Sequence, residues 1–335
     1  MLNPETPALV LAPMDGITDA PMRALMAESG AFTYAVSEFL RVSTDPIPPK
    51  VFRREVPELA EPTGLPVQIQ ILGGDPERMA ISAMNAVKAG APGVDINFGC
   101  PAPTVNRNDG GATLLKTPCR IRDVVAAIRQ AVPPEIPVSA KLRLGWDDIE
   151  SIHENAAMAA EGGASWLTIH ARTRVQGYTP PVYWPSIGKV RERLALPVVA
   201  NGDIWTFDDF QRCRDETGCH HFMIGRGALA NPPLPWQIAQ ALGIGQGPGF
   251  LIRNPYDWVA LLKRLVATTE RYEGQIVARS VARLKQWLNL AHRHGDFPYF
   301  DLVKRTTTVD DFFASLTEAI EATKEPLTAA QACRP

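Results

Sequence analysis

Along the first three quarters of the chain, short runs of apolar or β-branched residues recur, each followed by a stretch whose apolar positions have helical spacing. There are eight such runs, at 8–13, 34–39, 66–72, 93–98, 138–144, 166–171, 197–202 and 221–226. Helical spacing fills intervening segments such as 19–29, 76–89, 118–132, 149–161 and 207–217. Several stop at a glycine (Gly30, Gly90, Gly162, Gly218), the residue that most readily closes a helix. Eight strand–helix units over about 240 residues predict an α/β fold of the (β/α)8 TIM-barrel type, whose usual size is roughly 250 residues. A doubly wound sheet is the alternative, but there is no G-x-G-x-x-G after the first strand and no P-loop.

From about Pro255 the pattern changes to helices without strands, at 256–273, 277–294 and 300–321, the last open to a break. The expected organisation is a barrel domain over 1–245 and a small all-α domain over 255–335. The link between them, from Gly243 to Gly249, is glycine-rich and reads as a flexible hinge.

Composition narrows the class. With 335 residues, 45% hydrophobic and 21% charged, the chain can bury a large core, which excludes a disordered or fibrous protein. The net charge of −2 hides an asymmetry: residues 253–305 hold ten Lys/Arg against five Asp/Glu, so positive charge gathers on the helical part. The opening residues lack the basic start and apolar run of a signal peptide, and no stretch approaches the ~20 apolar residues of a membrane span, so the expectation is a cytoplasmic protein. The five cysteines (Cys100, Cys119, Cys213, Cys219, Cys333) are odd in number and form no C-x-x-C pair, which argues against a disulfide framework and a structural metal.

In a (β/α)8 barrel the C-terminal strand ends form the active-site mouth. Here they are polar: Pro13, Met14 and Asp15 after the first run, Arg41 after the second, Gln70 on the third, and Asn97 and Cys100 at the fourth. Lys141 and Arg143 follow on the fifth, His170 and Arg172 at the sixth, Asn201-Gly202-Asp203 at the seventh, and Gly225-Arg226-Gly227 at the eighth. Cys100, held between Gly99 and Pro101, is presented to the mouth, whereas the other four cysteines take a structural reading. An ordinary thiol, with pKa about 8.5, is mostly protonated near neutrality, so Cys100 suits either a proton donor or, beside a base such as His170, a nucleophile. The glycines after the seventh and eighth runs suit a phosphate at backbone N–H groups, implying a phosphorylated cofactor, and Gln70 and Lys141 suit the edge of a flavin ring.

Seven segments carry a resemblance. Ala-Pro-Met-Asp-Gly (12–16), Asp-Ile-Asn-Phe-Gly-Cys-Pro (95–101), Gly-Gly-Ala-Thr-Leu-Leu (110–115), Lys-Leu-Arg-Leu-Gly-Trp (141–146), His-Ala-Arg-Thr (170–173), Ala-Asn-Gly-Asp (200–203) and Ile-Gly-Arg-Gly-Ala (224–228) together resemble the tRNA-dihydrouridine synthase family. Glu38-Phe39-Leu40-Arg41-Val42, Lys50-Val51-Phe52 and the run from Val281 to Trp287 resemble its bacterial C type, which acts on uridine 16 of the D-loop. The resemblance implies FMN in the mouth, NADPH as its reductant, a hydride delivered to C6 of the uracil and a proton from Cys100 to C5. It implies that Pro13, Met14 and Asp15 lie along the flavin, with Gln70, Lys141 and His170 at its ring and ribityl edge. Asn201, Gly202, Asp203, Gly225 and Arg226 would hold its phosphate. Asn97 and Tyr178 would meet a uridine flipped out of its stack, and Arg41 the tRNA, as would Arg279, Arg283, Lys285 and Gln286 on the tail. Members of the family often carry a lysine two residues after the Cys-Pro proline. Pro103 stands there in this chain, with Arg107 as a replacement cation.

Three alternatives stay open on residues alone: a flavin enzyme of free pyrimidines, which has no use for a basic tail, a tRNA-binding protein with incidental catalysis, and an aldolase-type barrel using Lys141 as a Schiff-base former. The chain is expected to be monomeric.

Overall fold

The computed structural model describes residues 1–107, 109–273 and 277–323. All eight expected strands form: β1 (Ala8–Leu11), β2 (Tyr34–Val36), β4 (Val67–Leu72), β5 (Val94–Asn97), β6 (Val138–Arg143), β7 (Leu167–His170), β8 (Val198–Asn201) and β9 (His221–Ile224). A ninth, β3 (Leu40–Arg41), is the continuation of the second run after an interruption. All pairings are parallel, in the order β2-β1-β9-β8-β7-β6-β5-β4-β3, and an additional β2–β4 pairing closes the ring. The second run is broken because side chains take over its ladder bonds. Ser37 Oγ accepts the Gln70 N–H at 3.0 Å and Glu38 accepts the Ile17 N–H at 3.0 Å.

Alternation within the strands separates two environments. One face of β4–β8, carrying Val67, Ile69, Ile71, Val94, Ile96, Val138, Ala140, Leu142, Leu167, Ile169, Val198 and Ala200, packs under the surrounding helices. The other face, carrying Gln68, Gln70, Asp95, Asn97, Ser139, Lys141, Thr168, His170 and Asn201, lines the lumen. The lumen's apolar side, with Val10, Tyr34, Val36, Trp166, Val199 and Met223, comes from β1, β2, β8, β9 and the residue preceding β7.

The helices start and stop on recognisable signals. Asp19, Asp75 and Thr206 cap the helices Ala20–Ala27, Pro76–Lys88 and Phe207–Thr217 by accepting backbone N–H groups, each in extended backbone. At Gly162 the expected left-handed stop is displaced by one residue: Gly162 is still right-handed and Gly163 makes the turn at φ +92°.

The tail forms helices Pro255–Glu273, Val277–His294, Phe300–Val303 and Val309–Ala322, the break falling between the last two. Residues 324–335, including Cys333, lie outside the described residues. The glycine-rich link is not a hinge but a strap. Gln246 and Gly249 donate backbone N–H groups to Gly30 and Ser29, Trp236 Nε1 donates to Gly247 O at 2.9 Å, and a Cβ on Gly30 would sit 2.4 Å from Gly247 Cα.

Helix Val277–His294 is seated on the barrel by the same run whose basic residues were expected to face tRNA. Trp287, 1% exposed, donates Nε1–H to Leu229 O at 2.8 Å. Arg283 is buried and forms a forked ion pair with the N-cap residue Asp19, so it is not a surface cation. Lys285 donates to Thr306 O and pins the next turn. Arg279 and Gln286 remain exposed, with Arg279 4.0 Å from Asp19. Removing one partner of a buried pair leaves the other charge without compensation, so Arg283→Ala is expected to cost about 2–4 kcal/mol. Arg279→Ala, half-exposed, is expected to cost less than about 0.5 kcal/mol. Urea unfolding of the two variants measures the difference.

Candidate active site at the barrel mouth

A cavity of about 630 Å³ opens at the C-terminal ends of the strands. Cys100, Asn97, Tyr178 and all eleven residues expected at the cofactor line it: Pro13, Met14, Asp15, Gln70, Lys141, His170, Asn201, Gly202, Asp203, Gly225 and Arg226. Pro103 lines it as well, whereas Arg107 is exposed at the end of the short helix Pro103–Asn106 and does not reach it. Arg41 is exposed on β3, away from the cavity lining, and so are the tail residues Arg279 and Gln286.

Cys100 is held by its backbone. Asn97 Oδ1 accepts the N–H groups of Gly99 and Cys100 at 2.9 and 2.8 Å, and Arg143 Nε donates to Gly99 O at 2.8 Å. Burial pushes the half-buried thiol above its ordinary value and Asp15 adds to this, outweighing the Ala102 N–H, Arg143 and Lys141. The group is therefore kept as a thiol at neutral pH, which favours the acid over the nucleophile. Of the other described cysteines, Cys213 and Cys219 are buried, with Cys219 pushed up to about 11 by burial, while Cys119 is exposed rather than structural.

The lumen supplies a row of donors. Asn97 Nδ2 donates to Gln70 Oε1 at 2.8 Å, Gln70 Nε2 to Asp95 Oδ2 at 2.6 Å, and Lys141 Nζ to Asn201 Oδ1 at 3.2 Å. Burial and Arg143 bring the Lys141 ammonium down to about 8, so it stays mostly charged at neutral pH, although this lowering is also what a Schiff-base amine requires. Burial pushes the Asp95 carboxyl up to about 6, leaving it mostly ionised at neutrality. His170 is 7% exposed, and burial, reinforced by Arg143, Lys141, Arg172 and Arg226, holds it well below the usual imidazole value. Its ring is neutral at pH 7.

Asp203 does not offer its carboxylate to an anion. It accepts a forked ion pair from the fully buried Arg172, 2.8 Å at Nη1, and a further bond from Arg226 at 3.0 Å. Burial is the largest influence on this carboxyl and pushes it up, but the two arginines together draw it below the usual range. Asp203 thus orients Arg226, whose guanidinium lies 4.5 Å over the Tyr178 ring and 4.9 Å over Trp205. Tyr178 itself stands 55% exposed over the mouth, with Arg143 5.1 Å from its ring centre.

Asp95 and Trp205 were not among the expected site residues, and Arg143 and Arg172 were expected at the mouth without a role. Arg143 shapes the Tyr178 loop by donating to Thr173 O and Gly177 O. Alternation would have found Asp95, two positions before Asn97 on the same lumen-facing side.

A half-buried thiol, buried cations and a donor row at one (β/α)8 barrel mouth have the make-up of an enzyme's cofactor site. The profile described as Dihydrouridine synthase (Dus) matches residues 10–324, and the chain belongs to this family of flavin-dependent oxidoreductases. It is 44% identical over 302 residues to a protein of Shewanella oneidensis named tRNA-dihydrouridine(16) synthase, covering 89% of this chain and 92% of that one. It is 40% identical to a protein of the same name from Aquipseudomonas alcaligenes, covering 85% and 90%. A solved 2-naphthoyl-CoA reductase shares the fold with a TM-score of 0.55 at 12% identity, over 70% of this chain and 50% of that one.

The residues fit a flavin on their own geometry. The buried Nδ1 of His170 has no hydrogen-bond partner among the described residues although its ring lines the cavity. A Cβ on Gly225 would stand 3.0 Å from Met14 Sδ and 3.1 Å from Ala12 Cβ, so the bare glycine keeps the wall open there. Among the described residues no cluster could hold a metal ion, and no helix is long and apolar enough to cross a membrane.

Because the folded His170 resists protonation, the unfolded chain binds its proton first, and stability is lost as pH falls below the unfolded value of about 6.5. His170→Gln is expected to flatten the fall of unfolding free energy between pH 6.5 and 5 by up to about 1.4 kcal/mol per pH unit. Denaturant titrations at several pH values check this, and equal slopes would refute a neutral His170.

Proposed function

We propose that the chain reduces uridine 16 of the tRNA D-loop to 5,6-dihydrouridine, with FMN as its flavin and NADPH as reductant. The observation that carries the reading is Cys100: a thiol kept protonated by burial, fixed at its backbone, on the wall of the one cavity that also gathers Gln70, Lys141, His170 and Asn201. Two relatives of 44% and 40% identity bear the name tRNA-dihydrouridine(16) synthase, which supports both the substrate and the position.

Held by the mouth residues, the flavin would supply the hydride for C6 of the uracil. The chain's own residues do the rest. Cys100 holds at Sγ the proton that C5 requires. The Lys141 ammonium and the Gln70 amide, both on the cavity wall, favour negative charge on the ring edge. The loops at Gly202 and Gly225, with Arg226 held by Asp203, receive the phosphate. Tyr178 and Asn97 meet the uridine, and the exposed Tyr178 closes water out above it. Residues 1–245 make the catalytic domain and 255–335 the tRNA-recognition domain, where Arg279 and Gln286, together with Arg41 on the barrel, present the exposed contacts. The enzyme acts as a cytoplasmic monomer.

With unmodified tRNA and NADPH, the protein is expected to form dihydrouridine at position 16, mapped by mass spectrometry of nuclease fragments. Cys100→Ala should lower turnover by at least about 100-fold with unchanged tRNA affinity. Since the acid must be protonated, wild-type turnover should hold through neutrality and decline only above the ordinary thiol range. Full activity of Cys100→Ala would remove the thiol from the reaction. Arg279→Ala should weaken tRNA binding and reduce the slope of log K against log salt by about 1, the signature of one lost phosphate contact.

A further inference from the structure

Between Cys100 and the floor of the barrel runs a line of hydrogen bonds whose direction is fixed by chemistry. The backbone N–H groups of Gly99 and Cys100 can only donate, and both donate to Asn97 Oδ1. With its oxygen so used, Asn97 must turn Nδ2 toward Gln70, whose Oε1 accepts at 2.8 Å. Gln70 must then turn Nε2 the other way, where it donates to Asp95 Oδ2 at 2.6 Å. A second arm reaches the same group: Gln68 Nε2 donates to Ser139 Oγ at 3.0 Å, and the Ser139 hydroxyl donates to Asp95 Oδ1. Both arms end on the one side chain among them that, ionised, can only accept.

Neither amide can be turned over without setting donor against donor or acceptor against acceptor. Asp95 is 2% exposed and Gln70 fully buried, so bulk water cannot take the place of a lost partner. The strand register supports the line. Gln70 pairs with Asp95 across β4–β5 and Asp95 with Ser139 across β5–β6, which puts the three side chains side by side in the lumen.

We propose that Asp95 is a positioning residue: its carboxylate, acting through Gln70 and Asn97, fixes the backbone turn that holds Cys100 at the mouth. It rests on the reading above only for what Cys100 does in turnover. The geometry of the turn is measured separately, so either can fail without the other.

Iodoacetamide labelling of the native flavoprotein, read by peptide mass mapping, carries its own controls. Exposed Cys119 sets the unhindered rate, and buried Cys213 and Cys219 report unfolding. Asp95→Ala should raise the labelling rate of Cys100 about fivefold while the other three stay unchanged. Asp95→Leu removes both acceptors without leaving a hole and should do the same, which keeps the test intact if the alanine variant fails to fold. Asp95→Asn still offers an oxygen to Gln70, while Ser139 can accept from its amide, so labelling should stay within about twofold of wild type. In uridine reduction, kcat should fall in the alanine and leucine variants with KM for tRNA unchanged, and the asparagine variant should restore it. Unchanged Cys100 labelling in both Asp95→Ala and Asp95→Leu would overturn the proposal. So would an increase shared by Cys213 and Cys219, or an asparagine variant as disturbed as the alanine one.

Discussion

A closed parallel sheet takes its inner face out of water, and in this chain that face carries a carboxylate, an ammonium, an imidazole and four amides on neighbouring strands. Such groups are costly to bury unless each finds a partner or a ligand. Bonds between side chains meet most of the demand, from Asn97 to Gln70, Gln70 to Asp95 and Lys141 to Asn201. What remains unmet in the mouth is the His170 Nδ1, at the cavity where a cofactor would lie. The same desolvation sets the chemistry. It keeps Cys100 protonated, His170 neutral and Lys141 near the edge of its charge.

The tail contributes less free charge than its composition promises. Arg283 is spent on Asp19, Arg264 on Glu28 and Lys285 on the Thr306 carbonyl, while Trp287 and Trp258 bury their rings at the barrel junction. His294 stacks on Trp205 at 4.1 Å, and Trp205 in turn lies beside Arg226. The helical part is therefore built against the loop that would bear the cofactor phosphate, and its seating and the mouth's geometry are parts of one contact surface.

The strands were legible because their outer faces are continuous apolar alternations, and the helix Phe207–Thr217 because its capping box and Gly218 mark both ends. The site was legible wherever a polar residue stood at a strand end. Two kinds of fact were not. The role of a charge depends on its partner, which sequence does not name: Asp203 was expected in the phosphate loop and Arg283 at tRNA, yet Asp203 pairs with Arg172 and Arg226 and Arg283 with Asp19. The stiffness of a loop depends on what it lies against, so the run from Gly243 to Gly249 reads as a hinge, yet it is tied down by Gly30, Ser29 and Trp236. Alternation places Asp95 on the lumen side with Asn97, but its role becomes visible only when the register sets it against Gln70 and Ser139.

On the reading proposed here, this polar lumen and its glycine loops hold a flavin mononucleotide against Cys100. Native mass spectrometry of the purified protein, followed by denaturation and identification of what is released, tests it most directly. The expected result is the mass of the chain plus one FMN, released intact on unfolding. A chain that carries no flavin and takes up none from added FMN would contradict it.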